Sequence, residues 1–243
     1  PELSRGLGDV YKRQCQPMDG VGDLCRKHDC LLLLDTVTSL GGVPLYIDEW
    51  KVDLAYSCSQ KGLSCPPGLG PFTMGPRAEE KMASRGGKVP NWYLDVSLLN
   101  QYWGSDRIYH HTAPVNMNFG MREALRLLAE EGLDQAWARH RRNAERLWSG
   151  LERQGLSMHV PEERRLPTLT TVRIPDGVDG KAFSQHLLNT HGIEVGGGLG
   201  SLAGKIWRIG LMGYNSTPEN VDRLLNLFET ELPRFSGSVA AAA

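Results

Sequence analysis

The sequence predicts an α/β fold, and three observations support this prediction. Short apolar runs that end in polar residues occur at 31–35 (LLLLD) and 52–57 (VDLAYS), as in buried strands of a parallel sheet. Two longer segments, 117–131 and 133–151, carry apolar residues at helical spacing. From Leu156 onward short β-like runs alternate with helical segments, which predicts a smaller α+β unit at the C-terminal end.

The first half of the chain is interpreted element by element. Residues 1–14 have neither helical nor strand periodicity, and we leave them out of the fold prediction. The first predicted strand ends at Asp35, and residues 36–48 are expected to form a loop with turns. The second predicted strand, 52–57, leads into Ser59-Gln60-Lys61, and the Pro66-Pro67-Gly68 sequence is expected to break regular structure.

The second half is predicted to begin with two helices. The helix over 117–131 has Gly132 as its stop signal, and the helix over 133–151 follows directly. The further strands and helices of the small unit are expected at 168–174, 192–195 and 206–211 and at 180–190 and 217–232, respectively.

Composition and charge exclude several classes of protein. Twenty-seven basic and 28 acidic residues give a formal charge of -1 without long runs of either sign, so binding to nucleic acid or to a membrane surface is not expected. No apolar stretch approaches the roughly 20 residues of a membrane span. We see neither a secretory signal nor a peroxisomal tripeptide at Ala240–Ala243, and five cysteines without zinc-type spacing suggest unbridged thiols. A cytoplasmic location is therefore expected.

The strongest local signal lies around Lys61. A predicted strand and small residues precede this lysine, and the turn Pro66–Gly70 follows it, so one amine is placed on a loop with little side-chain crowding. Asp35 ends its own buried strand, where α/β proteins hold their ligands, and Val37 lies on the same side of an extended chain. A carboxylate and an apolar contact of this kind suit the pyridine ring of pyridoxal 5'-phosphate (PLP).

These residues carry a family resemblance. The sequence from Leu31 to Gly70 is similar to the class V PLP-dependent aminotransferases of the alanine-glyoxylate and serine-pyruvate group. The resemblance runs from about Cys30 to about Phe235 and implies a fold-type I transferase. The other motifs that carry it, in family order, are Arg107–Pro114, Leu166-Pro167-Thr168, Gly196–Gly200 and Trp207-Arg208-Ile209-Gly210.

The resemblance implies a role for each matching residue near the cofactor. Lys61 would be the catalytic lysine that forms the Schiff base, and Asp35 would be the partner of the pyridinium nitrogen. Val37 would pack on the ring, and Gln60 would lie beside the cofactor.

Three further residues match positions with family roles. Tyr109 and Thr112 match residues that reach the cofactor phosphate of the other subunit, which implies a homodimer with shared active sites. Arg208 matches the arginine that binds the substrate α-carboxylate, and a planar guanidinium suits that group. The implied reaction transfers an amino group from alanine or serine to glyoxylate or another 2-oxo acid.

The resemblance also implies a division of the chain. We expect residues 1–29 to lie outside the family or to be poorly ordered, 30–131 to be the C-terminal part of the large PLP-binding domain, 132–235 to be the small domain and 236–243 to be a tail. Family members carry a further segment before the equivalent of Cys30, with a glycine-rich phosphate cradle and a stacked aromatic residue. We therefore expect a truncated copy whose activity needs the missing half.

Two alternative functions remain open. Another class V reaction such as cysteine desulfuration usually needs a mobile-loop cysteine in the small domain, and no cysteine follows Cys65. An inactive fragment with an exposed dimerisation surface is the other.

Two weaker signals in the sequence have ordinary structural explanations. Gly198-x-Gly200-x-x-Ala203 loosely fits a dinucleotide-binding fingerprint, but a strand-like segment rather than a helix follows it. His110-His111 is expected to be structural, because adjacent side chains of an extended chain point to opposite faces. No metal site is predicted.

Overall fold

The computed structural model describes residues 3–6 and 15–237. Its N-terminal sheet has four strands in the order β1-β2-β3-β4, namely Leu3–Gly6, Leu32–Asp35, Leu54–Tyr56 and Phe72–Met74. β2 pairs in parallel with β1 and β3, while β4 runs antiparallel to β3. The predicted buried parallel strand is confirmed, since Leu32 and Leu34 are fully buried.

Parts of this sheet were not predicted. β1 lies within residues 1–14, where the LSRG sequence has no strand-like alternation; its backbone nevertheless pairs with the whole of β2. β4 follows the proline break and was also missed, because three residues are too few for a periodic pattern. The sheet is therefore wider than the sequence indicates.

Three short helices flank this sheet and lack clear sequence signals. They are α1 (Val21–Lys27), α2 (Pro76–Ala83) and α3 (Val96–Trp103). α2 begins with a proline in its first turn, and the Asp95 side chain caps α3 by accepting from the Ser97 amide. α1 lies in the segment 1–29 that was expected to precede the family resemblance, yet its Cys25 is buried in one core with Leu32 and Leu34.

Two long helices connect the N-terminal sheet to the rest of the chain, as predicted. α4 spans Val115–Glu131 and α5 spans Leu133–Arg153. A single residue, Gly132, separates them with φ of 84°, a conformation that side chains strongly disfavour. The helix stop predicted at Gly132 is confirmed.

The C-terminal sheet has three antiparallel strands. They are β5 (Leu169–Arg173), β6 (Gly196–Gly197) and β7 (Ile206–Gly210), in the order β5-β7-β6. Helices α6 (Gly180–His191) and α7 (Pro218–Glu231) complete this unit. The strand expected at 192–195 is wrong: Gly192 ends α6 in the left-handed conformation, and pairing begins only at Gly196.

An aromatic cluster forms the centre of this second core. The rings of Phe183, Trp207 and Phe228 pack edge to face with centroids 5.0–5.5 Å apart, and each is at most 1% exposed. The indole nitrogen of Trp207 donates to the Gly180 carbonyl, so its one polar atom is also satisfied. Within residues 3–6 and 15–237, no helix is long and apolar enough to cross a membrane.

Candidate active site

Asp35 is held from two sides at the C-terminal end of β2. Its Oδ1 accepts from the backbone amide of Val37 at 2.8 Å, and its Oδ2 accepts from the Tyr56 hydroxyl at 2.9 Å. Tyr56 lies directly opposite Asp35 in the parallel register of β2 and β3. The strand pairing therefore sets the position of the carboxylate, and two donors set its orientation.

Tyr56 is a site residue that the sequence did not reveal. Burial, followed by the hydrogen bond to Asp35 and the negative charge of that residue, raises the pKa of Tyr56 to about 12. Its hydroxyl consequently stays protonated at neutral pH and remains a donor to Asp35. A tyrosine in a short strand looks like an ordinary β-former, and only the register between the two strands reveals the contact.

The loop after β2 is tied to the end of β3. The Thr36 amide and hydroxyl both donate to the Tyr56 carbonyl, at 2.9 and 2.7 Å, and the Ser57 hydroxyl donates to the Thr36 carbonyl. All three residues lie at the same edge of the sheet as Asp35. These bonds join the predicted carboxylate segment to the segment that leads to Lys61.

Lys61 lies on a loop closed by main-chain and hydroxyl hydrogen bonds. The Ser59 amide donates to the Leu69 carbonyl at 3.0 Å, and the Cys65 amide donates to the Ser59 carbonyl at 3.1 Å. The Ser59 hydroxyl also donates to the Pro66 carbonyl at 2.7 Å. These bonds define the loop that carries Lys61, and the lysine itself is half-buried.

Cys58 lies on the segment that leads from β3 to Lys61. Burial raises the pKa of the Cys58 thiol, the positive charge of Lys61 and the Gln60 backbone amide oppose this rise, and the charge of Asp35 adds to it. The hydrogen bonds of Thr36 and Ser57 bring the Asp35 end of β2 next to this segment. Val37 is half-buried beside Asp35, and the Gln60 side chain is exposed next to Lys61.

Arg208 lies in the middle strand of the C-terminal sheet. It pairs with Thr171 on one side and Gly196 on the other, and its Nε donates to the Gly197 carbonyl. A Cβ at Gly196 would lie 3.3 Å from the Arg208 guanidinium. Gly196 thus leaves room for this side chain.

The Lys61 loop meets the turn after β7, the strand of Arg208, at Gly213. The Tyr214 amide donates to the Ser64 hydroxyl at 2.7 Å, and Gly213, with φ of 60°, lies against the main-chain oxygens of Lys61 and Gly62. A Cβ at Gly213 would approach the Ser64 hydroxyl to 2.0 Å. This contact, called here the glycine joint, fixes the distance between the two segments.

His140 supports the glycine joint from α5. Its Nδ1 lies 2.7 Å from the Ala136 carbonyl, and its Nε2 accepts from the Gly213 amide at 2.8 Å. Acceptance from the Gly213 amide requires an unprotonated Nε2, and burial lowers the pKa of His140, which favours the neutral ring.

Tyr109 and Thr112 form a separate, exposed pair. The tyrosine hydroxyl lies 3.0 Å from the threonine hydroxyl, and the tyrosine side chain is 72% exposed. Ile108, in the same segment between α3 and α4, and Trp103, the last residue of α3, are also exposed. The contacts among the described residues do not bring this pair to Lys61 or Asp35.

The side chains of His110 and His111 meet, contrary to the expectation that they point to opposite faces. Their Nδ1 atoms are 2.9 Å apart, and His110 stacks on Trp92 with a centroid distance of 4.0 Å. The segment is not an extended strand here, so the alternation rule does not apply. His110 is 4% exposed, and its ring contacts both Trp92 and His111.

Comparison with known proteins identifies the family. The model for "Aminotransferase class-V" matches residues 13–224. The match begins before Cys30, the expected start of the resemblance. The chain belongs to the class V aminotransferase family. The predicted membership is thus confirmed, and the match includes the helix α1.

The class V chain is similar to several named enzymes. It is 47% identical over 219 residues to an alanine–glyoxylate aminotransferase of Callithrix jacchus, a match that covers 88% of this chain and 53% of that protein. The crystal structure of an alanine–glyoxylate aminotransferase from Nostoc sp. has 61% identity and a TM-score of 0.92, covering 94% of this chain and 60% of that one.

A ureidoglycine–glyoxylate aminotransferase from Bacillus subtilis is similar at 37% identity, with a TM-score of 0.93, and the match covers 96% of this chain and 60% of that one. The predicted fold-type I architecture is confirmed. The class V chain spans about half the length of the curated relatives it matches.

Gly62, next to Lys61, packs tightly against the main chain of Leu40. In Gly62→Ala, the new Cβ would lie 2.2 Å from the Leu40 carbonyl oxygen, so the loop must shift. We expect the free energy of unfolding to fall by about 1–3 kcal/mol, measured by denaturant titration of the full-length protein. Gly86→Ala is the matched control, because no heavy atom lies within 4 Å of its added Cβ. Equal stabilities of the two variants would contradict the tight packing of this loop.

Proposed function

We propose that the full-length protein is a PLP-dependent aminotransferase that moves an amino group from alanine or serine to glyoxylate or a related 2-oxo acid. The observation that carries this proposal is the position of Asp35 at the carboxyl end of β2, hydrogen-bonded to Tyr56 at the end of the parallel strand β3, with Lys61 on the loop that follows β3. The 61% identity to an alanine–glyoxylate aminotransferase supports the choice of reaction.

The residues present fit PLP as the cofactor. Asp35 offers a carboxylate whose orientation is set by Val37 and Tyr56, which suits an interaction with a protonated pyridine nitrogen. Lys61 would bind the cofactor covalently through Nζ, Val37 would contact the ring, and Gln60 would lie beside it. When bound, PLP supplies an electron sink that stabilises negative charge at the substrate α-carbon.

Lys61 would have a second role once the substrate amine has replaced it. Its Nζ would take the proton from the substrate α-carbon and deliver it to the cofactor carbon C4′, as general acid–base catalysis requires. The closed loop 59–69 holds the Lys61 backbone in one position, and such preorganisation favours proton transfer.

Arg208 would bind the α-carboxylate of both substrates. A guanidinium can donate two parallel hydrogen bonds to a carboxylate, and its bond to the Gly197 carbonyl uses only Nε. The two Nη groups are the atoms proposed to hold the substrate. Through the glycine joint, this strand keeps a fixed relation to the Lys61 loop.

We propose a homodimer in the cytoplasm, in which Tyr109 and Thr112 reach the cofactor phosphate of the partner's site. The exposure of this pair, and of the aromatic residues near it, supports a contact with a second subunit. Residues 30–131 would belong to the large PLP-binding domain, together with β1 and α1, which pair and pack with β2. Residues 132–235 would be the small domain and 236–243 a tail.

A substrate panel tests the proposed function. The full-length protein, loaded with PLP, is supplied with alanine, serine, aspartate or cysteine and with glyoxylate or pyruvate. We expect glycine to form from glyoxylate, fastest with alanine or serine as the donor. Release of sulfide from cysteine without amino transfer would instead indicate desulfuration. A cofactor-loaded protein that transfers no amino group to either acceptor would overturn the proposal.

A further inference from the structure

A second cluster of titratable side chains lies outside the proposed active site, in α6 and α7 of the C-terminal unit. It consists of His186 and His191 on α6 and Glu231 at the end of α7. One ligand atom from each residue lies within 4.8 Å of the others. We propose that these three residues bind a divalent transition-metal ion, with Zn²⁺ as the favoured ion.

The geometry brings the three side chains to one point. The His186 Nε2 is 3.0 Å from the Glu231 Oε2, and the two imidazole rings lie edge to face with centroids 5.3 Å apart. The Glu231 side chain is 13% exposed and that of His186 is 24% exposed. The cluster is therefore half-enclosed and still open on one side to an ion.

His191 supplies the observation that the ordinary interactions do not explain. Its Nε2 is buried and has no hydrogen-bond partner among the described residues, whereas the other two side chains are hydrogen-bonded. A buried ring nitrogen without a partner is costly, and metal ligation is one way to satisfy it. The Arg223 guanidinium donates to the His191 carbonyl at 2.6 Å, which holds this residue in place at the end of α6.

The ligand set indicates the type of ion. Two imidazoles and one carboxylate are ligands that Zn²⁺ accepts, and a water molecule would complete four-coordinate geometry on the open side. Hard ions such as Mg²⁺ and Ca²⁺ prefer sets made only of oxygen. Thr190 Oγ1, 3.2 Å from His186 Nδ1, lies where it orients the ring through the nitrogen that does not face Glu231.

Arg234 competes with the ion for the same carboxylate. Its Nη1 donates to the Glu231 Oε2 at 2.6 Å, the oxygen that also faces His186. The Arg234 side chain is exposed, so it can swing into solvent at little cost when an ion binds. The structure thus contains an ion pair that metal binding would replace.

Zinc titration of the full-length protein tests this site. We expect one Zn²⁺ per chain at this cluster, and a weakening of about tenfold or more in each of His186→Gln, His191→Gln and Glu231→Gln. His28→Gln, an exposed histidine outside the cluster, is the matched control and should bind as the unmodified protein does. Circular dichroism of each apo variant separates a lost ligand from a lost fold.

Two further results bear on the proposal. Arg234→Gln is expected to bind Zn²⁺ severalfold more tightly, because the competing cation is removed, and equal or weaker binding would contradict the assignment of Glu231 as a ligand. With Co²⁺ as a spectroscopic probe, we expect visible bands of a nitrogen and oxygen site without thiolate charge transfer. Identical Zn²⁺ affinities of the unmodified protein and a folded His191→Gln variant would overturn the site.

Discussion

Replacing Lys61 with alanine is expected to abolish covalent cofactor binding and to lower amino transfer by about 10³-fold or more. The substitution removes the only proposed nucleophile toward PLP and the proposed proton carrier, and acid–base catalysis alone is worth about 10²–10⁴-fold. Absorbance of the PLP-loaded full-length protein reports the covalent bond. Borohydride reduction followed by peptide mass spectrometry locates the pyridoxyl group.

Lys181→Ala provides the control for this experiment. Lys181 is an exposed lysine of α6, on a helix that carries none of the proposed cofactor contacts. This variant should keep both the absorption band and the activity of the unmodified protein. A pyridoxyl group found on another lysine, or an undiminished band in Lys61→Ala, would refute the assignment.

Replacing Asp35 with asparagine is expected to lower kcat/KM by about 10²-fold. Asparagine keeps the size of the side chain, but it cannot hold a positive charge on the pyridine nitrogen, and removing one member of a partly buried charge pair costs about 3 kcal/mol or more. The Val37 amide would keep an oxygen to bond. Steady-state kinetics and the dissociation constant of PLP measure the effect.

Tyr56→Phe separates the charge of Asp35 from its orientation. This variant leaves the carboxylate charged and removes one hydrogen bond, which is worth about 1 kcal/mol, so we expect a loss of less than about tenfold. If Asp35→Asn had no larger effect than Tyr56→Phe, the carboxylate would have no role as a charge partner.

The sequence predicted those parts of the fold that have a regular pattern or a distinctive stop signal. The apolar run before Asp35 is short for a helix and therefore indicates a buried strand, and Gly132 ends α4 because glycine adopts a positive φ at least cost. By contrast, α1 and α3 have at most eight residues, which is too short for helical periodicity to stand out. β1 depends on pairing with β2 rather than on its own composition.

The sequence offers candidate site residues where a single residue carries a motif, and it gives no signal where two segments meet. Lys61 and Arg208 stand out because their neighbours are unusual in the sequence. The bond between Tyr56 and Asp35 depends on strand register, and the cluster around Glu231 depends on the packing of α6 against the end of α7. The meeting of His110 and His111 depends on a local bend of the chain, which no pairwise spacing reveals.

The glycine joint has a consequence for which substitutions the chain tolerates. Its contacts use main-chain atoms of Lys61, Gly62, Gly213 and Tyr214 and two side chains, the Ser64 hydroxyl and the His140 ring. Exchanging another side chain around these segments leaves those atoms in place. The spacing between the Lys61 loop and the turn after β7 therefore depends on glycine at 213, on Ser64 and on His140, and not on the bulk of the residues near Arg208.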